Sequence, residues 1–474
     1  MLTRVHDDRP DVRRLAAGGE GALPVALTIG VLCVAFLVAY RPISDPDTFW
    51  HLRLGQYVLD GGSFVGPEPW SSVATRDLVL HEWLLEVVYV RVFDLFGWAG
   101  LAWLQAAGQA ALALTLYLTA RRLTTAPTAA LLAAVGWFAA SGTVALRPQL
   151  GTYLLLAVTT TAWLLSTRDG RVRWWLVPLT YLWACVHAMW FVGPVTGAVV
   201  VAGMALDRRW PKRRLVHLAA VPVASVVVVA ATPLGLRIFT TASSMRPYTE
   251  YVTEWWSPSL SMPQLVAALL LAAVTAVVLA RRPTAPSWAV IGVYAMGVGA
   301  SLLAVRTVAA GAVILTVVTA GALSGGVRPP GVARREIVAL LVGVAVVTSA
   351  LPALSATDVG RPTGVPTGLS PALDALPQGT VVLNDYVVGG WMLWEHPDLD
   401  PVVDGRADIY PVDLVADMYD LTLGLPGWQD TVRRLDAPYA LLADTSPVVD
   451  AMEQELGWRV VAAEDGYRLL EAPR

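Results

Sequence analysis

Residues 22–60 read ALPVALTIGVLCVAFLVAYRPISDPDTFWHLRLGQYVLD, an apolar run followed at once by an acidic, amphipathic segment. Residues 22–40 carry no charged side chain, and a helix of this length crosses a hydrocarbon core of about 30 Å. The run ends at Tyr40 before Arg41-Pro42, unlike the small residues that precede a signal-peptide cleavage site. The sequence therefore predicts a retained membrane anchor and, directly after it, a polar loop at the membrane surface.

Ten further apolar runs follow, at about 98–119, 126–145, 149–166, 174–191, 192–206, 215–233, 263–280, 286–304, 307–323 and 336–354. The 474 residues are 55% hydrophobic and 15% charged, whereas soluble domains carry about a quarter charged residues. With a net charge of only −3, this composition excludes a disordered protein, an ordinary cytosolic enzyme and a nucleic-acid partner. We predict a mainly α fold: a polytopic membrane helix bundle of about 11 spans with a C-terminal extracytoplasmic α/β domain.

The basic residues before position 358 predict the orientation. With the N-terminal segment 1–21 in the cytoplasm, 19 of these 27 side chains lie on the cytoplasmic side, as the positive-inside rule requires. Arg281-Arg282 and Arg334-Arg335 then share one side, so the apolar stretch 286–323, which is interrupted by Arg306, is predicted to be a hairpin. An odd number of spans places the C-terminal part outside the cytoplasm.

The composition changes near residue 358 and predicts the domain organisation. Residues 22–357 form the transmembrane domain, residues 358–379 are a linker rich in Pro and Gly, and residues 380–474 are an α/β domain. Residues 358–474 hold 20 acidic and 7 basic side chains. Within the domain we predict strands at 380–385, 401–403, 439–443, 459–463 and 467–470, and helices at about 411–423, 427–436 and 446–457.

The first outside loop, about 41–97, is long and predicts two surface helices. One runs from Thr48 to Asp60 and ends at Gly61-Gly62, and the other runs from His81 to Leu95. Their tryptophan and tyrosine side chains suit the membrane interface. The charges of the second helix make it costly within lipid, so we expect it to lie on the surface.

Asp45 and Asp47 begin this loop and have two interpretations. Ser44-x-x-Asp47 fits a capping-box-like helix start, where acids are favoured by the helix dipole. Alternatively, two carboxylates one residue apart hold a divalent cation with a phosphate, or one of them is a general base for an acceptor hydroxyl. Residue type alone leaves both open.

The motifs DPDTFWHLRLGQ (45–56), GPEPWSS (66–72) and HEWLLE (81–86) resemble the first loop of bacterial proteins of the GT-C superfamily. These are integral-membrane glycosyltransferases that use polyprenyl-phosphate-linked sugars, and the order of loop, spans and outward C-terminal domain is similar. The resemblance implies an inverting enzyme in the bacterial cytoplasmic membrane, with the lipid bilayer, a polyprenyl-phosphate sugar donor and an extracytoplasmic acceptor as partners. It makes Asp45 or Asp47 the base. We further predict that Asp45 and Asp47 are candidate ligands of Mg²⁺ or Mn²⁺ and that His81 and Glu82 position the acceptor.

Three ionisable side chains fall near the predicted outer face within or between apolar runs: Arg147, His187 and Arg306. Such groups are costly in a membrane and are therefore functional candidates. A cationic pair facing Asp45 and Asp47 is what a lipid-phosphate leaving group needs as its charge grows. The alternatives are arginines that reach to the headgroups and a histidine that packs between helices.

The outside loop 234–262 contains Glu250 and Glu254 among aromatic residues. The aromatic rings are typical of an interfacial belt. Alternatively, the loop closes over a sugar, and in the oligosaccharyltransferases that the chain resembles, a late outside loop also supplies an acid. In the C-terminal domain, Asp404-Gly405-Arg406 is interpreted as a tight-turn ion pair.

Together these observations predict a membrane glycosyltransferase that transfers a sugar from a polyprenyl-phosphate donor to a glycan, lipid or protein acceptor outside the cytoplasm. The alternative is a non-catalytic polytopic membrane protein that keeps a GT-C scaffold and acts in cell-envelope glycan assembly or transport. The alternative predicts that no outward cavity unites Asp45 and Asp47 with Arg306.

Overall fold

The computed structural model describes residues 22–142, 145–324 and 332–473. The predicted cytoplasmic segment 1–21 lies outside the described residues, as does Arg328. The described chain contains a bundle of apolar helices, a short loop region after the first of them, and a C-terminal α/β domain.

The bundle is built from helices that coincide with the predicted apolar runs. They are α1 (Ala22–Ala39), α3 (Trp83–Arg121), α4 (Ala126–Ala140), α5 (Gln149–Asp169), α6 (Leu176–Val186), α7 (Val192–Leu206), α8 (Lys212–Val228), α10 (Pro263–Ala280), α11 (Trp288–Leu303), α12 (Val308–Leu323) and α13 (Arg334–Leu354). Between them, α2 (Asp47–Leu59) lies in the first loop and the short α9 (Thr241–Ser244) lies between α8 and α10.

Among the described residues, eight helices, counted with their adjoining 3-10 turns, are long and apolar enough to cross a membrane. They are Ala22–Ala39, Trp83–Arg121, Gln149–Asp169, Ala188–Leu206, Lys212–Ala231, Pro263–Ala280, Val305–Leu323 and Arg334–Leu354. The apolar α4, α6 and α11 are shorter, with 10–17 residues. The predicted polytopic helix bundle is confirmed, and the protein is a multi-pass membrane protein.

Helix α12 lies at the centre of the bundle. Of its most apolar 18 residues, counted with the adjoining 3-10 turn, 78% are buried, whereas only 17% of those of α13 are buried. Small residues allow the helices to approach α12 closely. A Cβ atom added to Gly136 of α4 would lie 2.2 Å from Thr316 Oγ1, and one added to Gly311 would lie 2.2 Å from Ser301 Oγ. Close packing of this kind stabilises helix pairs in lipid, where no hydrophobic effect brings helices together.

The predicted hairpin 286–323 is present. Helices α11 and α12 are joined at Ala304 and the 3-10 turn Val305–Thr307, which carries Arg306. The second surface helix of the first loop is continuous with the next span in α3, and the two parts meet at Gly97. Gly97 has φ of 59°, a backbone conformation that favours glycine, so the break in direction is encoded at this residue.

The C-terminal domain contains a five-stranded sheet of order β4-β3-β5-β7-β6. Its strands are β3 (Val381–Asn384), β4 (Asp400–Pro401), β5 (Tyr439–Ala443), β6 (Arg459–Glu464) and β7 (Tyr467–Glu471), after the β1 (Val65–Gly66) and β2 (Leu78–Val79) hairpin of the first loop. Strand β3 is parallel to β4 and β5, while β7 is antiparallel to β5 and β6. The helices are α14 (Ser370–Asp374), α15 (Tyr386–Glu395), α16 (Val412–Leu423), α17 (Trp428–Leu435) and α18 (Val448–Leu456).

The short α14 lies in the predicted linker, and helix α15 is the longer element of this domain that the sequence did not predict. Gly389 and Gly390 lie at its centre, and glycine is unfavourable in a helix interior. Both glycines are needed for close approach: a Cβ atom at Gly389 would lie 1.8 Å from the Val403 carbonyl oxygen, and one at Gly390 would lie 3.1 Å from that of Pro46. Helix α15 therefore packs directly against the start of α2.

The C-terminal domain is fixed to one end of the bundle, here called the capped end, by several other contacts. Thr363 donates a backbone hydrogen bond to the Ile43 carbonyl, 2.8 Å long. The Tyr248 hydroxyl donates to the Tyr410 carbonyl at 2.7 Å. Leu369, within the predicted linker, is buried in the same core as Phe49 of α2. The first loop and the domain thus share a hydrophobic core.

A buried ion group joins the domain to the first loop. Arg406 donates through Nε and Nη2 to Asp404, at 2.9 and 2.6 Å, and through Nη1 to Glu68 at 3.0 Å. The Tyr410 hydroxyl donates to Asp404 at 2.6 Å. The side chains of Asp404, Arg406 and Glu68 are 0–3% exposed. The predicted ion pair of the Asp404-Gly405-Arg406 turn is therefore present, and Glu68 extends it to the first loop.

Candidate functional site

Five charged side chains meet at the capped end and form the acid–arginine cluster: Asp45, Asp47, Arg147, Glu254 and Arg306. The two aspartates lie at the start of α2, and Arg147 lies in the turn before α5. Glu254 lies in the 3-10 turn Thr253–Trp255, and Arg306 lies in the turn between α11 and α12. Four separate segments therefore contribute to one site.

Arg147 is the centre of the cluster. Its Nε and Nη2 donate to the two carboxylate oxygens of Asp45, at 2.6 and 2.7 Å. Nη2 also lies 3.1 Å from Asp47 Oδ2, and Nη1 donates to Glu254 Oε1 at 2.5 Å. Although burial opposes it, the neighbouring Asp47 and Asp45 carboxylates raise the pKa of Arg147 above its ordinary value. The guanidinium thus holds three carboxylates together.

Glu254 links the two arginines. Its second carboxylate oxygen, Oε2, lies 3.4 Å from Arg306 Nη1. The two turns that carry these residues are joined by a backbone hydrogen bond from Val305 to Trp256, 3.0 Å long, and the Arg306 guanidinium lies 5.7 Å from the centre of the Trp255 ring. When all five side chains are ionised, the cluster has a net charge of −1.

Asp47 is the more accessible of the two aspartates, since its side chain is 20% exposed and that of Asp45 is 8% exposed. Its Oδ1 accepts a hydrogen bond from Trp50 Nε1 at 3.0 Å. Burial, together with the Asp45 charge, raises the pKa of Asp47 to about 6 even though Arg147 opposes the shift. The predicted capping box is absent, because α2 begins after Pro46 without a side-chain cap, but Asp47 does lie in the first turn of the helix, where the helix dipole favours an acid.

Gly405 of the C-terminal domain lies directly on this aspartate. A Cβ atom at Gly405 would lie 2.4 Å from Trp50 Nε1 and 2.5 Å from Asp47 Oδ1. We expect Gly405→Ala to displace these two side chains and to destabilise the protein by about 1–3 kcal/mol, as overpacking typically does. Thermal unfolding followed by tryptophan fluorescence measures the effect. Gly299→Ala, at a helix position with open space around it, is the control, and equal unfolding temperatures for the two variants would contradict the packing.

A second group, the histidine–glutamate cluster, lies next to the first and contains His51, His81, Glu82, Glu86 and His187. His51 Nδ1 lies 2.9 Å from Glu86 Oε1. The Nε2 atoms of His187, His81 and His51 lie 3.3, 3.5 and 3.8 Å from the Glu82 carboxylate. Burial lowers the pKa of His51 to about 3. Burial alone would raise the pKa of Glu82, but His187 and His81 hold it below its ordinary value.

His81 is the member of this cluster closest to solvent, with 26% of its side chain exposed. Its Nδ1 is 3.0 Å from the Val79 carbonyl, so this nitrogen carries a proton. Burial alone would lower the pKa of His81, but the hydrogen bond and charge of Glu82 raise it to about 9. His81 and Glu82 therefore form a charged pair at neutral pH.

The two clusters differ in their fitness for a metal ion. Within the described ranges, the one group of His, Cys, Asp and Glu side chains with donor atoms close enough to hold an ion is His51, Glu82 and Glu86. Glu86 Oε2 is buried and has no hydrogen-bond partner among the described residues, and nitrogen and carboxylate donors together suit Zn²⁺ or Mn²⁺. The predicted ligands Asp45 and Asp47 fit an ion poorly, because Arg147 engages both oxygens of Asp45.

The structure thus brings together eight of the nine predicted site residues in the two clusters. The exception is Glu250, which is exposed and lines an open cavity of about 610 Å³ with Tyr251, Trp256, Ala416, Tyr419 and Asp420. His187 joins the histidine–glutamate cluster from the end of α6, where its backbone is extended, and its ring accepts a hydrogen bond from Met189 N. Their chemical roles stay predictions. Sequence reasoning missed Trp50, His51 and Glu86, although Glu82 and Glu86 are four residues apart on one helical face.

No family model matches the sequence, and none of the curated proteins matches it. Solved structures do. The chain is similar to the archaeal oligosaccharyltransferase AglB of Archaeoglobus fulgidus in complex with an inhibitory peptide and a dolichol-phosphate, with 12% identity, a TM-score of 0.57, and coverage of 88% of this chain and 69% of that one. The same enzyme in complex with Zn and sulfate matches with 13% identity, a TM-score of 0.51, and coverage of 90% and 68%.

A further match, with a TM-score of 0.46 and 14% identity, is ArnT of Cupriavidus metallidurans bound to undecaprenyl phosphate, which covers 98% of this chain and 100% of that one. The similarity to AglB extends over most of the chain. The chain therefore shares its fold with AglB, and the predicted fold class, a membrane helix bundle with a C-terminal α/β domain, is confirmed.

Proposed function

We propose that the protein transfers a sugar from a polyprenyl-phosphate-linked donor to an acceptor at the outer face of the bacterial cytoplasmic membrane, by a single inverting displacement. The observation that carries the proposal is the acid–arginine cluster, in which carboxylates and guanidinium groups from four segments meet at the capped end of a GT-C fold. The complex of AglB with a dolichol-phosphate supports a lipid-phosphate donor. The capped end faces away from the cytoplasm in this proposal.

Asp47 is the proposed general base. Both oxygens of Asp45 are engaged by Arg147, whereas Asp47 is more exposed and is 3.1 Å from the same guanidinium through one oxygen. A catalytic base works best when its pKa lies near the working pH, and the pKa of Asp47 is raised to about 6. Asp47 would take the proton from the acceptor hydroxyl as that oxygen attacks the sugar.

Arg306 is the proposed contact for the donor phosphate. Its contact with Glu254 is long, at 3.4 Å, and 24% of its side chain is exposed. A guanidinium has five N–H groups, so Arg306 retains donors that can bind a phosphate whose negative charge grows as the sugar leaves. Arg147, with all three nitrogens engaged by carboxylates, orients the acids.

The acceptor is proposed to approach along His81, which Glu82 holds in place. The cavity of about 610 Å³ beside Tyr251, Trp256 and Tyr419 offers aromatic rings on which an acceptor sugar can stack. A divalent cation, where the protein binds one, is proposed to be held by His51, Glu82 and Glu86. In this proposal Glu250 contacts the acceptor, and Glu254 orients Arg147 and Arg306.

The raised pKa of Asp47 predicts the pH dependence of activity. Below about pH 6 the base is protonated and inactive, so kcat/KM is expected to fall about tenfold for each further pH unit. A pH profile of sugar transfer measures this acidic limb. Asp45→Asn removes one of the charges that raise the pKa of Asp47 and should move the limb towards lower pH. A limb near pH 4 in the wild-type protein would remove Asp47 as a base with a raised pKa.

The decisive test of the function is an assay of the purified, reconstituted protein with polyprenyl-phosphate sugars of several types. Release of free polyprenyl phosphate and transfer of labelled sugar are measured together. The matched variant is Arg306→Gln, which keeps a polar side chain but removes the charge. We expect transfer by the wild-type protein and a raised KM for the donor with Arg306→Gln. Absence of transfer with every donor would contradict the proposal.

A non-catalytic role in cell-envelope glycan assembly or transport is the second candidate. The observation that favours it is the closed ion-pair geometry, in which Arg147 is bound to Asp45, Asp47 and Glu254 at once. This role predicts binding of a lipid-linked sugar without its cleavage. Equilibrium binding measured beside the transfer assay separates the two candidates.

A further inference from the structure

We infer that Arg147 takes the place of a divalent cation in the acid–arginine cluster, so that Asp45, Asp47 and Glu254 are held in position without a metal ion between them. The inference rests on the proposed function and deepens it, because it identifies the Arg147 guanidinium as the positive charge that holds the carboxylates of the proposed site. Its test is a count of bound metal ions, which can succeed or fail whether or not sugar transfer is found.

The geometry around Arg147 resembles that around a metal ion. Three carboxylates, two from the start of α2 and one from a turn more than 200 residues later, point at one positive centre. The contacts measure 2.5 to 3.1 Å and use all three nitrogens of the guanidinium. A hard dication also gathers carboxylates from separate segments, at metal–oxygen distances of about 2.0–2.6 Å. Here the guanidinium supplies the charge, and its planar fork supplies the direction.

The charges exclude a metal ion between Asp45 and Asp47 while the Arg147 guanidinium is in place. Arg147 stays protonated at every physiological pH, and its side chain is only 15% exposed. A dication between Asp45 and Asp47 would lie within a few ångströms of this guanidinium and would be repelled by it in a poorly screened environment. The ion would also compete for Asp45, both of whose oxygens already accept hydrogen bonds from Arg147. Metal and guanidinium are therefore alternatives at this position.

The position of Arg147 in a constrained turn supports a structural role in holding the three carboxylates. Arg147 lies between Leu146, which is buried, and Pro148, which directly precedes α5. The proline restricts the backbone of the residue before it, so the turn presents the arginine from a constrained position. A side chain that only reached towards headgroups would need no such anchoring and would not contact three carboxylates.

The inference predicts how many metal ions the full-length protein binds. Mn²⁺ titrations of the detergent-purified protein, followed by electron paramagnetic resonance, count the sites. Wild type and Asp45→Asn/Asp47→Asn should bind the same number of ions. Arg147→Ala should bind one more, since it leaves three carboxylates without their cation, and Arg147→Ala/Asp45→Asn/Asp47→Asn should lose this extra site.

Two controls keep the count interpretable. Glu82→Gln/Glu86→Gln removes ions bound at the histidine–glutamate cluster and should leave the extra site of Arg147→Ala unchanged. If Arg147→Ala does not fold, Arg147→Ala/Glu254→Gln reduces the carboxylate repulsion and is titrated instead. The inference is overturned if wild type binds an ion that Asp45→Asn/Asp47→Asn loses, or if neither arginine-free variant gains a site.

Discussion

Asp47→Asn is expected to lower the turnover number of sugar transfer by about 100- to 10,000-fold, the usual contribution of a general base. Asparagine has the shape of aspartate, and its oxygen can still accept the hydrogen bond from Trp50 Nε1 that Asp47 accepts at 3.0 Å. The variant should therefore bind the donor with an affinity close to that of the wild type. Single-turnover kinetics and equilibrium binding of the donor measure the two quantities separately.

The comparison with Asp45→Asn makes this prediction specific. Asp45 contacts Arg147 through both oxygens, so its replacement should loosen the arginine and slow transfer by at most about 100-fold, the effect of misplacing a group rather than removing it. Asp430→Asn, at a side chain that is 82% exposed in the C-terminal domain, is the control for effects of the substitution that do not depend on the site. If Asp45→Asn were the more damaging of the two, Asp45 would be the base.

Arg406→Ala is expected to reduce the free energy of unfolding by about 3–5 kcal/mol, because it removes the positive partner of two buried carboxylates. Asp404 and Glu68 are 0% and 1% exposed, and Arg406 donates to both of them. The loss should affect the C-terminal domain and its attachment to the first loop together. Denaturant unfolding followed by tryptophan fluorescence measures the change.

The controls distinguish a buried ion group from an ordinary ion pair. Arg433→Ala, at the exposed pair with Asp430, should cost no more than about 1 kcal/mol. Arg406→Met combined with Asp404→Asn and Glu68→Gln removes all three charges and should recover part of the stability. A cost for Arg406→Ala as small as that for Arg433→Ala would show that the carboxylates find water or other partners.

Much of the fold could be predicted from the sequence because lipid imposes a simple requirement. Each span must be apolar over its length, so α1, α10 and the α11–α12 hairpin lie close to the predicted residues. Strand β5 lies at the predicted residues 439–443, because a short apolar run that is buried along its centre can be recognised locally. Helix α15 was not predicted, because its two glycines serve contacts with segments that are distant in sequence.

The candidate site could be predicted only in part. Orientation from basic residues selected Arg147 and Arg306 as polar groups near one face, and the first loop supplied Asp45 and Asp47. Which atoms meet depends on how segments 102, 107 and 52 residues apart in the sequence are packed, and no local pattern encodes that. His51 and Glu86 were missed for the same reason: their pairing joins two helices of the first loop region.

The close packing of Gly405 against Trp50 and Asp47 has a consequence for biosynthesis. The ribosome makes Asp47 some 358 residues before it makes Gly405, a delay of roughly 20–70 s at ordinary translation speeds. Throughout that interval the nascent chain contains Asp47 but not Gly405, which covers it in the folded protein. A truncated or stalled product that reached the membrane would therefore lack the C-terminal segment that packs on Trp50 and Asp47.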